Sequence, residues 1–159
     1  MRSFTVKNPK KFMSALLAGD VFDDFLLCEA LIKTYNTFSI DGRIIPEYFD
    51  DYEFGYEYSS WKDIRPICFE LIKGKILPVS FLFVMQLKPD KAKEIMLEEV
   101  SSSSIEQIKG LTLNIKYQNG TITVVTATSL NSFIPDKAPD NVWDSYMSDF
   151  LKLRYDFVD

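Results

Sequence analysis

The 159-residue chain has no histidine. It therefore lacks the side chain most often used as a general base near neutral pH, and the commonest zinc ligand. The residues left for chemistry are cationic, acidic or aromatic. Arg43, Trp61 and Arg65 make one candidate set. Two guanidiniums converging beside an indole would hold an anionic small molecule through forked hydrogen bonds against a flat apolar wall. Without that convergence, Trp61 is a core anchor and each arginine pairs with a nearby acid. Lys7, Lys10, Lys11 and Lys91 make a second set. Lysines on outer helix faces contact phosphates without reading base sequence. Glu94 and Glu98 share the face of Lys91, so half of such a basic surface is missing. Asp23-Asp24 and Asp50-Asp51 are adjacent acid pairs. Adjacent residues on a strand point to opposite faces, so neither pair is a converging acid–base couple. Cys28 and Cys68 lie among large apolar residues and read as buried, reduced thiols. No phosphate-binding loop, dinucleotide fingerprint, nucleophile elbow or metal-ligand spacing occurs. The expectation is a chain without a catalytic centre, a cofactor or a metal.

The elements that must position these residues can be read from the apolar pattern. Residues 79–87 form a run of large apolar side chains, long enough for a buried strand and too short for a membrane span. Lys88-Pro89-Asp90 opens a helix. Residues 111–118 alternate into Asn119-Gly120, and 121–129 alternate out again. Asn-Gly between alternating runs signals a two-residue hairpin, because its turn needs positive φ at both central positions. The first half has a similar order. Residues 3–6 read as a short strand, Asn8 caps a helix with Pro9 in its first turn, and 22–40 form a β-prone stretch. That stretch bends either near Tyr35-Asn36, giving strands 25–32 and 37–43, or at Asp41-Gly42. The two strand-helix-hairpin units, 1–76 and 77–159, suggest an internal duplication within one domain spanning 1–159.

Between the units, residues 46–60 alternate Tyr48, Phe49, Tyr52, Phe54, Tyr56 and Tyr58 with acids and Gly55, and read as a surface loop. Ser60-Trp61-Lys62-Asp63 resembles a capping box for a short helical turn. Pro66 argues against a long helix, and residues 67–72 read more simply as a strand, with a helix from Pro66 to Lys73 as the alternative. Residues 101–104 read as a loop. Asp140 or Asn141 caps a final helix carrying Trp143, Tyr146, Met147, Phe150 and Leu151 at helical spacing. The fold class expected is α+β: an antiparallel sheet built from two repeats, with helices packed on it and a C-terminal helix.

Composition bounds the rest. The net charge is −5 and uneven. Residues 1–19 hold Arg2, Lys7, Lys10 and Lys11 and no acid; residues 47–57 hold five acids and no base. Such a chain is not a general nucleic-acid binder, though a local basic face is compatible with it. No run is apolar enough to span a membrane and the N-terminus has no signal-peptide pattern, so no membrane partner and a cytoplasmic location are expected.

Several stretches carry a resemblance. Phe25-Leu26-Leu27-Cys28-Glu29-Ala30, Phe38-Ser39-Ile40-Asp41-Gly42-Arg43, Ser59-Ser60-Trp61 with Ile64-Arg65-Pro66, Leu71-Ile72-Lys73-Gly74-Lys75 and Thr128-Ser129-Leu130 resemble a bacterial family known only as a domain of unknown function. That resemblance covers the whole chain and implies no activity. A weaker likeness is to the sliding-clamp fold of polymerase processivity factors, built from strand-helix-three-strand repeats. Residues 67–72 would supply the third strand of the first repeat. The likeness implies a clamp-like nucleic-acid accessory role. The functional expectation is a non-catalytic binding or interaction module, with a protein or DNA partner or a second copy of the chain. The rival is an anionic-ligand protein or enzyme with a site at Arg43, Trp61 and Arg65.

Overall fold

The computed structural model describes residues 1–49 and 55–159. The Asp50-Asp51 pair and the aromatics Tyr52 and Phe54, singled out above, lie outside the described residues. Seven strands form one antiparallel sheet: β1 (Ser3–Thr5), β2 (Phe25–Lys33), β3 (Thr37–Asp41), β4 (Ser59–Ser60), β5 (Ser80–Leu87), β6 (Ile108–Gln118) and β7 (Thr121–Leu130). The spatial order is β1-β7-β6-β5-β2-β3, with the short β4 also paired to β2. The helices are α1 (Pro9–Ala18), α2 (Trp61–Ile72), α3 (Pro89–Met96), α4 (Ser102–Glu106) and α5 (Ala138–Ser148), which runs into a π-helical turn, Asp149–Arg154.

Strand alternation sets which side of the sheet is covered. Phe81, Phe83, Met85 and Leu87 on β5, and Leu111, Leu113, Ile115 and Tyr117 on β6, are buried in one cluster with side chains from α1, α2, α3 and α5. Their neighbours Leu82, Val84 and Gln86 point to the other face and stay half-exposed. The two indoles tie helices to the covered layer. Trp61 donates to the Leu16 carbonyl at 3.0 Å and Trp143 to the Thr112 carbonyl at 2.9 Å. A buried indole N–H without a partner would cost free energy, and both have one.

Local signals hold where chemistry is local. Asn119 and Gly120 have φ of 53° and 78°, as the two-residue turn between β6 and β7 demands. The Asn8 side chain accepts from the Lys11 amide and caps α1. The first hairpin bends through Thr34, Tyr35 and Asn36, with β3 ending at Asp41.

Three expectations are corrected. Residues 67–72 are helical, within α2, and Pro66 sits inside that helix. The apolar run Ile67-Cys68-Phe69 mimics a strand, but Trp61, Cys68 and Ile72 are buried at helical spacing. Their burial against α1 and β2 outweighs the hydrogen bond that Pro66 cannot donate, and the proline ring lies on the solvent side. Residues 67–72 thus do not provide the third strand that the sliding-clamp likeness required. Ser102–Glu106 is a short helix rather than a loop, with the Ser101 hydroxyl accepting from the Ser104 amide. The last helix starts at Ala138, with Pro139 in its first turn, ahead of Asp140 and Asn141. The two halves share element order but not strand neighbours. β5 lies beside β6, whereas β1 lies at the opposite side of the sheet from β2.

Candidate interaction surface

The lysine set is spread over two separate helices and the bend before α1, and is partly neutralised. Lys7 bonds Asp156, and Lys11 lies 4.0 Å from the same carboxylate and 5.8 Å from the centre of the Phe157 ring. The hydrogen bond holds the Lys7 ammonium pKa above its ordinary value and the Asp156 carboxyl below its own. Lys10 is exposed. Lys91, on α3, lies 3.7 Å from Glu94 one turn on.

Arg43, Trp61 and Arg65 are each engaged locally. Trp61 is fully buried against Phe83. Arg65 bonds Asp23 at 2.6 Å in a partly buried pair. Arg43 bonds Glu57 and lies 5.4 Å over the Tyr58 ring. Arg43 lines a shallow pocket of about 340 Å³ with Cys28, Glu29, Asp41, Tyr58 and Val84; Trp61 and Arg65 do not line it. Burial pushes the Cys28 thiol up to about 11 and the Cys68 thiol up to about 12, so neither is a thiolate nucleophile at neutral pH. Among the described residues no three acid or thiol side chains gather to hold a metal ion. No described helix is long and apolar enough to cross a membrane.

A different feature stands out at the end of the sheet. β3 is an edge strand: among the described residues it pairs with β2 and with no other strand. Its last neighbour explains where it ends. Gly42 donates to the Cys28 carbonyl and accepts from the Ser59 amide, both at 2.9 Å, so β4 takes over along β2 where β3 leaves it. A Cβ at Gly42 would sit 1.8 Å from the Leu27 carbonyl oxygen. Only glycine fits that crossing.

The same bond fixes which backbone groups of β3 are free. In an antiparallel pair, hydrogen-bonded and non-bonded positions alternate. With Gly42 bonded to Cys28, the bonded partners are Ile40 with Ala30 and Phe38 with Ile32. The N–H and C=O groups of Thr37, Ser39 and Asp41 therefore point away from the sheet. Among the described residues no other strand reaches them.

The side chains beside this edge are apolar. Phe38 and Ile40 lie on the covered face and pack only partly against the core. On α2, Trp61 and Arg65 turn toward α1 and the chain just after it, through Leu16 and Asp23. Helical spacing then puts Ile64, Ile67 and Leu71 on the flank away from α1, toward β3. Ile64 and Leu71 are half-buried, but Ile67 is 52% exposed. At the hairpin tip Tyr35 is 85% exposed and packs edge-on against Phe38. Leu71, Thr34, Tyr35, Ile76, Leu77 and Val79 line an open hollow of about 470 Å³ there. The Thr34 hydroxyl is buried without a hydrogen-bond partner among the described residues.

The sequence reading singled out Arg43 and passed over this edge. The signal lay in residues 37–41, Thr-Phe-Ser-Ile-Asp, which alternate and contain no Lys, Arg, Pro or Gly. Those are the residues that usually blunt an edge strand.

No curated protein and no solved structure matches the chain. A family model does, over residues 15–156, from the second turn of α1 to just past the π-helical turn. The chain belongs to DUF5721, a family of unknown function.

Proposed function

We propose that the protein is a non-catalytic interaction module that accepts a further β-strand along β3. The observation that carries this reading is the row of outward backbone groups at Thr37, Ser39 and Asp41 that no described strand meets, beside the apolar margin of Phe38, Ile40 and Ile67. An added strand would satisfy the backbone groups, and its alternate side chains would cover that margin. The absence of histidine and the raised thiol pKa values support a binding role over a catalytic one.

The test is binding of a fluorescent nine-residue peptide alternating threonine with isoleucine or phenylalanine. A rise in anisotropy is expected, with slowed amide exchange at Thr37, Ser39 and Asp41. Unchanged anisotropy and exchange would overturn the reading. Salt-sensitive binding of duplex DNA, lost in Lys10→Glu, would replace it with the electrostatic, clamp-like role.

A further inference from the structure

We infer that the strand taken up by β3 is β3 of a second copy, paired antiparallel across a two-fold axis at Ser39. This rests on the strand-accepting reading and adds the identity of the partner.

The register is selected by the strand itself. Only the outward residues Thr37, Ser39 and Asp41 can exchange backbone hydrogen bonds, so outward positions must face outward positions. Centring on Ser39 pairs Ser39 with the partner's Ser39, and Thr37 with the partner's Asp41. All five residues of β3 are then used. Phe38 faces the partner's Ile40, on the covered side of both sheets. A shift of two residues one way leaves Ile40 opposite Asn36. A shift the other way leaves Phe38 opposite Gly42. Each shift also strands an outward residue without a partner. A shift of one turns bonded groups away from each other.

Charge and space agree with this arrangement. Asp41 is the only charged residue of β3, and in the centred register it faces Thr37 and not another acid. Like charges placed directly opposite would oppose pairing. The Ser39 hydroxyls meet on the open face, where each can bond the other. On the covered face, α2 lies over β2 rather than β3. Three strand spacings of about 4.8 Å then separate the two α2 helices by about 14 Å. That leaves a trough lined by Phe38, Ile40 and Ile67 of both copies. The contact is isologous and closes on itself, so it yields a dimer and not a filament. It is also short, which puts it among the small, weakly held interfaces.

The experiment uses the full chain in sedimentation velocity over a concentration series. The wild type is expected to shift from monomer to dimer across that range. Ser39 is exposed, so Ser39→Lys and Ser39→Glu leave the monomer fold intact. Each alone is expected to raise the Kd severalfold, because like charges meet on the axis. An equimolar mixture of the two is expected to restore the dimer, since position 39 faces itself in this register alone. A wild type that stays monomeric to millimolar concentration overturns the inference. So does a mixture that associates no better than either variant. Peptide binding alongside either result leaves the strand-accepting reading standing and moves the partner to another protein. Loss of peptide binding as well removes both.

Discussion

The two ends of the sheet are built from the same kind of strand and finished differently. β1 pairs with β7, and the chain beyond it is covered. The Lys7 amide donates to the Phe157 carbonyl at 3.0 Å, and Val6 bridges Val158. Arg2 and Lys7 flank the strand with charge. The C-terminal segment thus covers the chain just past β1 with backbone bonds, an ion pair and the buried ring of Phe157. β3 has no such cover. No described strand meets its outward groups, its sequence holds no guarding lysine or proline, and the core beside it ends half-open at Phe38 and Ile40. Edges left like this are templates for pairing, and proteins that do not use them usually blunt them. The difference supports β3 as the proposed pairing edge.

The comparison can be broken most severely at Phe157. Its ring is buried and packs at 5.0 Å against Phe12. Phe157→Ala is expected to cost about 3–5 kcal/mol in urea unfolding. Because it also loosens the segment bonded just past β1, it should leave more of that edge open. Light scattering should then show growth beyond a dimer, and a variant that stays as small as the wild type would refute the contrast between edges.

At the other end, Gly42→Ala forces a methyl group into the Leu27 carbonyl. It should cost on the order of 3 kcal/mol, since either β3 or β4 must leave β2. Faster amide exchange confined to β3 and β4 would locate the damage. Wild-type stability in Gly42→Ala would show that the crossing relaxes easily.

Trp61→Phe keeps an aromatic ring on Phe83 but leaves the Leu16 carbonyl unbonded. A loss of about 1–3 kcal/mol is expected by thermal unfolding. Since Trp61 seats α2 beside β3, the variant should also weaken pairing at that edge. Trp143→Phe, which frees the Thr112 carbonyl instead, should match it in stability and leave pairing alone.

The smallest effect belongs to the Lys7–Asp156 pair, which is exposed. Asp156 has a lowered carboxyl pKa because Lys7 bonds it. A carboxylate depressed on folding adds stability above the ordinary carboxylate range and loses it as pH falls through the lowered value. Lys7, raised by the same bond, keeps its share until pH climbs through its own raised value. Asp156→Asn removes both, so its midpoint should fall less on acidification than that of the wild type. Parallel pH profiles would show the pair to be idle.

Much of the fold was legible because its signals are local. The Asn119-Gly120 turn, the Asn8 cap with Pro9, the alternation of 79–87 and the helical stripe around Trp143 each depend on residues a few positions apart. Residues 67–72 were misread because Ile67-Cys68-Phe69 suits a strand as well as a helix. Pro66 tipped the reading toward the strand, while burial against α1 decided for the helix. The candidate surface was harder still. Arg43, Trp61 and Arg65 were picked for their chemistry, yet their partners Glu57, Leu16 and Asp23 are set by the fold.

Sequence alone determined most of the elements, the α+β class and the lack of histidine chemistry, because periodicity, capping and composition are properties of neighbouring residues and of counts. Strand order was decided only in three dimensions. Thr-Phe-Ser-Ile-Asp shows that the strand is unguarded, not where in the sheet it lies. That follows from β5 pairing with β2 and not with the outer side of β3, a choice made by the packing of Phe83 under Trp61 and by Gly42 letting β4 cross.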